Sequence, residues 1–312
     1  MRSVVILMLK LAGAGAAFAF LFHFVHFEQV FAVLSAANPL LVALGVLMFL
    51  AGQVVAAARW RQILRSDAVH ISLRKALRMN LIGTFAGNFL PGMATGDLAK
   101  SALLFQPFPE QRSFLIASVV YDRITGLVSV VVIAGAGALI LGISRGNWSF
   151  IPYVAAATAA VFLGIWFIAS VGTKARLLRV MPSSLIERSS LFIEGLRRLL
   201  RNKQLFGTAL WFGLGFQSSG IISLWIMLCA IQPGAPFLPV MVAAPFALVV
   251  AMLPITINGL GLREGTFSYI LQHLGVDAQI AVATSLLGLL PLLVSSLLGG
   301  VLLVFGKNRN GK

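Results

Sequence analysis

The chain has 312 residues, 59% of them hydrophobic and only 11% charged, with a formal net charge of +15. So apolar a chain has too little polar surface to cover a water-soluble globule, and the composition predicts an integral membrane protein. The basic excess lies between apolar runs without aromatic interleaving or a polar domain, which suits anionic lipid headgroups and argues against nucleic acid as a partner.

About 20 apolar residues are needed to cross the hydrocarbon core as a helix. On that measure the sequence predicts six spans, Val4 to Phe24, Pro39 to Ala58, Phe114 to Leu141, Phe150 to Val171, Leu205 to Ile231 and Ala278 to Phe305. The first has the alternative reading of a cleaved signal peptide, with Arg2 ahead of it and small residues near Ala17 and Ala19. Its apolar stretch continues past that point, which favours a span.

Basic loops resist translocation and set the orientation. Arg59, Arg61, Arg65, Arg74, Lys75 and Arg78 follow span two, and Lys174 to Lys203 between spans four and five is similarly basic. Both loops are expected on the cytoplasmic side. The stretches 26–38, 232–239 and 273–278 contain no Lys or Arg and are expected outside. Both termini then fall in the cytoplasm of a cell with the protein in its inner membrane.

Two glycine-rich breaks interrupt the remaining apolar segments. The first reads NFLPGMATGDLAK from Asn88 to Lys100, and the second reads LPITINGLGLREG from Leu253 to Gly265. Residues 77–105 lie between two cytoplasmic stretches, so the chain must enter and leave by the same face, as a re-entrant hairpin. Each arm has about a dozen residues, or roughly 18 Å of helix, enough to reach the bilayer midplane. Pro91, Gly92 and Gly96 supply the first turn, and Pro254, Gly259 and Gly261 supply the second, in residues 238–273, which dip in from outside.

The result is an all-α fold of six spans and two re-entrant hairpins. Residues 1–147 and 148–312 form two inverted repeats, an arrangement that in transporters places a site between the halves. Irregular backbone at membrane depth survives only inside protein or beside a wet cavity, so the two apices are expected to meet.

Ionisable side chains at that depth are costly and point to function. The candidate cavity residues are Asn88, Asp97, Lys100, Asp122, Arg123, Asn258, Arg263 and Glu264. Asp122 and Arg123 stand about two turns into span three. They read either as an interfacial pair whose arginine reaches the headgroups or as a pair facing a cavity. Neighbours on a helix point apart, so Asp122 is expected to bind Lys100 or Arg263 and leave Arg123 for a phosphate. Asp97 and Lys100 share a face, whereas Arg263 and Glu264 are not expected to pair. The hairpin charges have a purely structural alternative, as salt bridges that allow broken helices to be buried.

Cys229 stands alone, and His23, His26, His70 and His273 are scattered, so neither a metal nor another cofactor is expected. The segment 183–204 has Leu185, Phe192, Leu196 and Leu199 at helical spacing opposite arginines. It is expected to lie on the inner membrane surface as an amphipathic helix, or to act simply as a connector.

NFLPGMATGDLAK, the Asp122-Arg123 pair with Ile124-Thr125-Gly126-Leu127, and LPITINGLGLREG together resemble the flippase-like transmembrane region of lysylphosphatidylglycerol synthases. That family usually has further glycine where Met93, Ala94 and Thr95 stand, Arg in place of Lys100 and Glu in place of Asp122. The resemblance implies transbilayer movement of an anionic or glycosylated membrane lipid, and no enzymatic activity. A non-catalytic partner subunit of a lipid-synthesising enzyme and a small-solute transporter are the alternatives. Either a homo-oligomer or a complex with such an enzyme is compatible with the sequence.

Overall fold

The computed structural model describes residues 27–89, 95–170, 183–251, 256, 259 and 261–305. The expected first span, Pro91, Gly92, Pro254 and Asn258 lie outside the described residues. Among those described there are twelve α-helices and no strand. They are α1 (Phe27–Ser35), α2 (Pro39–Arg65), α3 (Leu73–Phe89), α4 (Thr95–Phe105), α5 (Arg112–Arg145) and α6 (Ile151–Ser170), followed by α7 (Ser183–Arg201), α8 (Lys203–Ile231), α9 (Phe237–Ala251), α10 (Leu262–His273), α11 (Ala278–Leu287) and α12 (Leu289–Phe305).

By length and composition, α2, α5, α8 and the stretch Ala278–Phe305 are fit to cross a membrane. The apolar helices Ile151–Trp166 and Phe237–Ala251 are shorter. Helix α2 begins at Asn38, whose side chain accepts from the N–H groups of Leu40 and Leu41, and it continues past Ala58 to Arg65. Arg59 is therefore inside a helix and buried, in contrast to its expected place in a basic loop. The last expected span is also different, since it is divided at Gly288. Pro291 has no N–H to give the Leu287 carbonyl, which removes the hydrogen bond that a continuous helix would make there.

Both breaks separate a pair of packed helices. In the first, the chain reverses so that α4 lies on α3, and the approach is close because glycines face one another. A Cβ at Gly96 would collide with the Gly83 carbonyl oxygen and stand 3.1 Å from the Gly87 Cα. Gly83 and Gly87 are one helical turn apart, the small-xxx-small spacing that lets backbones touch in membrane helices. In the second break, Gly259 and Gly261 have φ of 75° and 81°, in the left-handed region that favours glycine. Gly261 then caps α10.

The helices pack reciprocally. Helix α2 runs along α8, where the Ser223 hydroxyl donates to the Gly45 carbonyl at 2.7 Å. Helix α3 packs on α12 while α9 packs on α5, and α1 packs on α11 while α7 packs on α5. Beside a small apolar cluster of Val30, Val282 and Ala283 where α1 meets α11, two large ones result. One gathers Trp60, Ile63, Leu64, Leu115, Tyr121, Leu196 and Leu199, and the other gathers Leu141, Leu228, Val240, Val242 and Leu271.

The amphipathic segment corrects an expectation. Leu196 and Leu199 of α7 are buried against the first turns of α5, so part of the apolar stripe covers protein rather than lipid. Its Arg198 stays exposed and reaches Asp67 at 3.5 Å and Glu194 at 3.4 Å.

Gly96→Ala is expected to lower the thermal unfolding temperature in detergent, with a loss of about 1–3 kcal/mol from overpacking at the α3–α4 contact. Unchanged unfolding would show that the two helices do not need that approach.

Candidate functional site

One cavity of about 390 Å³ receives residues from α2, α3, α4, α5, α8, α9, α10, α11 and α12. Its wall includes Asp97, Lys100, Asp122, Arg123, Arg263 and Glu264, so the charges of both broken segments and of α5 are brought together. Arg59 also lines it. Along α5, the residues Phe114 to Ile124 belong to one apolar cluster, Asp122 to Leu127 reach the cavity, and Ile133 to Leu141 belong to the other cluster. The polar chamber is therefore set between two apolar cores.

Asp122 is the node of an ionic chain. Its Oδ1 accepts from Arg59 Nε at 2.7 Å and its Oδ2 accepts from Lys100 Nζ at 3.2 Å. Lys100 also lies 3.4 Å from Asp97 Oδ1, and Arg123 Nε donates to Asp97 Oδ2 at 2.5 Å. Lys100 is held over the Trp60 ring, 4.9 Å from its centroid. The chain thus runs Arg59, Asp122, Lys100, Asp97, Arg123 across α2, α4 and α5. It has the expected Asp122–Lys100 and Asp97–Lys100 contacts, while Arg123 is engaged by Asp97 rather than left over. Asp122 and Arg123 turn apart, as their adjacency on the helix requires.

The second segment is organised differently. Arg263 Nη2 donates to Glu264 Oε1 at 2.6 Å, against the expectation that these neighbours would not pair. The reason is local: Glu264 turns back to accept from the Gly261 N–H at 2.7 Å, which caps α10 and brings its carboxylate within reach of the flexible arginine. Ser268, also on α10, donates to the Glu264 carbonyl at 2.7 Å. Asn88 does not line the cavity. Its amide donates to the Ser296 hydroxyl at 2.5 Å and ties the end of α3 to α12. On the remaining wall, Asn80 donates to Gln53 at 2.8 Å, and Gln217 and Ser285 add polar side chains.

The sequence matches the family described as the lysylphosphatidylglycerol synthase TM region over residues 7–299. The chain belongs to that family. Proteins similar to it include a UPF0104 membrane protein of Pyrococcus horikoshii, 24% identical over 90% of this chain and 91% of that protein. Another is a UPF0104 membrane protein of Methanothermobacter thermautotrophicus, 20% identical over 84% of this chain and 82% of that protein. The cavity is thus a feature of a membrane protein in this family.

Arg59 was not legible as a site residue, because an arginine at the end of an apolar run looks like the start of a loop.

Removing a carboxylate from between two buried cations is far costlier than removing a half-exposed partner. Asp122→Ala is expected to destabilise by roughly 3–5 kcal/mol, since it strands Arg59 and leaves Lys100 with Asp97 alone. Arg123→Ala, whose side chain is 55% exposed, is expected to cost under about 1 kcal/mol. Thermal unfolding of the two variants in the same detergent compares them directly, and equal shifts would contradict this ranking.

Proposed function

We propose that the protein moves a lipid across the inner membrane, with the headgroup in the charged cavity and the acyl chains remaining in the bilayer. The observation that carries the reading is the gathering of charges from both broken segments in one internal chamber. Charged groups at bilayer depth cost on the order of 2.5–3.5 kcal/mol each even by lenient scales, and a polar path for a headgroup explains keeping so many. Asp122 stands ten residues after Arg112 in α5, about 15 Å along the helix, or half of a hydrocarbon core.

In this reading, α3–α4 and α9–α10 are hairpins that enter from opposite faces, and six spans with two such hairpins form inverted repeats divided near residue 147. Both termini are cytoplasmic. The reciprocal packing supports it: exchanging α2 with α8, α3 with α9, α4 with α10, α5 with α11–α12 and α1 with α7 turns most helix contacts into other observed contacts, α5–α6 and α7–α8 being exceptions. Such a two-fold relation offers two equivalent openings to one central site, which is the geometry of alternating access. Lys100, Arg123 and Arg263 neutralise the headgroup by exchanging their carboxylate partners for it, while Asp97 and Glu264 hold these bases in place or carry coupling protons. The family takes its name from the membrane region of a phospholipid-modifying synthase, which adds to the choice of a lipid as cargo.

Reconstitution into liposomes with a fluorescent phospholipid tests the reading. Wild type is expected to expose inner-leaflet lipid to an external quencher, and Asp97→Ala and Arg263→Ala are each expected to reduce that rate at least tenfold while remaining folded. Movement at the wild-type rate in both variants would refute the assignment.

A further inference from the structure

The basic side chains that suggest themselves as headgroup receptors are already engaged. Lys100 lies against Asp97 and Asp122, Arg123 against Asp97, and Arg263 against Glu264. Arg59 is the exception. It meets Asp122 through Nε alone, both oxygens of that carboxylate are taken, and no described contact engages Nη1 or Nη2. Nη1 is fully buried without a hydrogen-bond partner, on a residue only 6% exposed that lines the cavity.

An arginine held in place through Nε presents its remaining N–H groups as a flat fork suited to two oxygens of one anion. Burying such donors without an acceptor is unfavourable, so the arrangement gains when an acceptor arrives. Glycines stand against the fork, and of the two Gly126 lines the cavity. A Cβ on Gly126 would lie 3.5 Å from Nη1 and 3.7 Å from Nη2, and one on Gly213 would lie 3.2 Å from Nη1. The lining sets the charge of the anion: the cavity wall holds four basic side chains, Arg59, Lys100, Arg123 and Arg263, against three carboxylates, Asp97, Asp122 and Glu264. One positive charge is in excess, which a phosphodiester, with its single negative charge, would balance.

We propose that Arg59 is the anchoring receptor of the cavity, taking a monoanionic phosphate oxyanion on its Nη1/Nη2 fork while Asp122 fixes the guanidinium through Nε. Asp122 is a positioning residue in this arrangement. The inference rests on the lipid reading only for the source of the phosphate, since inorganic phosphate has the same oxyanion chemistry.

Purified protein in detergent is titrated with phosphatidylglycerol, with diacylglycerol and with inorganic phosphate, and binding is followed by native mass spectrometry and thermal stabilisation. Phosphatidylglycerol is expected to bind and diacylglycerol is not. Arg59→Lys keeps a positive partner for Asp122 and removes the fork, and it is expected to weaken phosphatidylglycerol binding roughly tenfold or more. Gly126→Ala keeps every charge and adds a methyl group at ordinary contact distance, so it is expected to fold as wild type and still bind several-fold more weakly. If Arg59→Lys fails to fold, Gly126→Ala decides alone. Binding of phosphatidylglycerol at wild-type affinity by the folded variants would overturn the proposal. Inorganic phosphate that binds in an Arg59-dependent manner, with no response to phosphatidylglycerol, would keep the oxyanion site and defeat the lipid reading.

Discussion

The arrangement of this protein depends on one carboxylate. Asp122, buried in α5, holds Arg59 of α2 on one oxygen and Lys100 of α4 on the other. A lone buried charge would be strongly destabilising. With two cations on one acid, the three helices are drawn together, and part of a guanidinium remains for something else. The break before α4 serves this node. Only a segment that turns back inside the protein brings Lys100 and Asp97 to the level of Asp122, and the glycines of α3 and α4 let the two arms lie close enough to do so.

The second broken segment has a different electrostatic solution. Glu264 is satisfied by the Gly261 N–H and by Arg263 within its own segment, and among the described residues no ion pair joins α10 to another helix. The pair α3–α4 is fastened by charge to α2 and α5. The pair α9–α10 is held mainly by apolar packing among Val240, Val242, Phe267 and Leu271. Apolar contacts are non-directional and tolerate sliding better than buried ion pairs do. Within the lipid-transport proposal, this makes α9–α10 the element better suited to move while α3–α4 keeps the site intact.

Much of this could be seen in the residues themselves. Proline and glycine beside an acid and a base, twice, inside apolar sequence marked both breaks and most of the charged cavity wall. What stayed hidden depended on contacts between distant residues or on cap geometry. Arg59 and Asp122 are 63 positions apart, and no local pattern shows that they meet. Arg263 and Glu264 pair because a helix cap bends one toward the other, which spacing along an ideal helix forbids. The role of Leu196 and Leu199 was ambiguous for another reason. An apolar stripe reads the same whether it faces lipid or, as in α7, a neighbouring helix. Pro291 did carry a signal for the division at Gly288, but a hydropathy window averages it away.

The central claim is that both broken segments end at one charged chamber in the middle of the bilayer. A cryo-electron-microscopy map of the protein in lipid nanodiscs measures this most directly. The account predicts both break tips near the centre of the lipid density, facing a common chamber that contains phosphate-sized density beside Arg59. Segments that cross the bilayer without turning, or charged side chains lying at the level of the bulk headgroups, would contradict it.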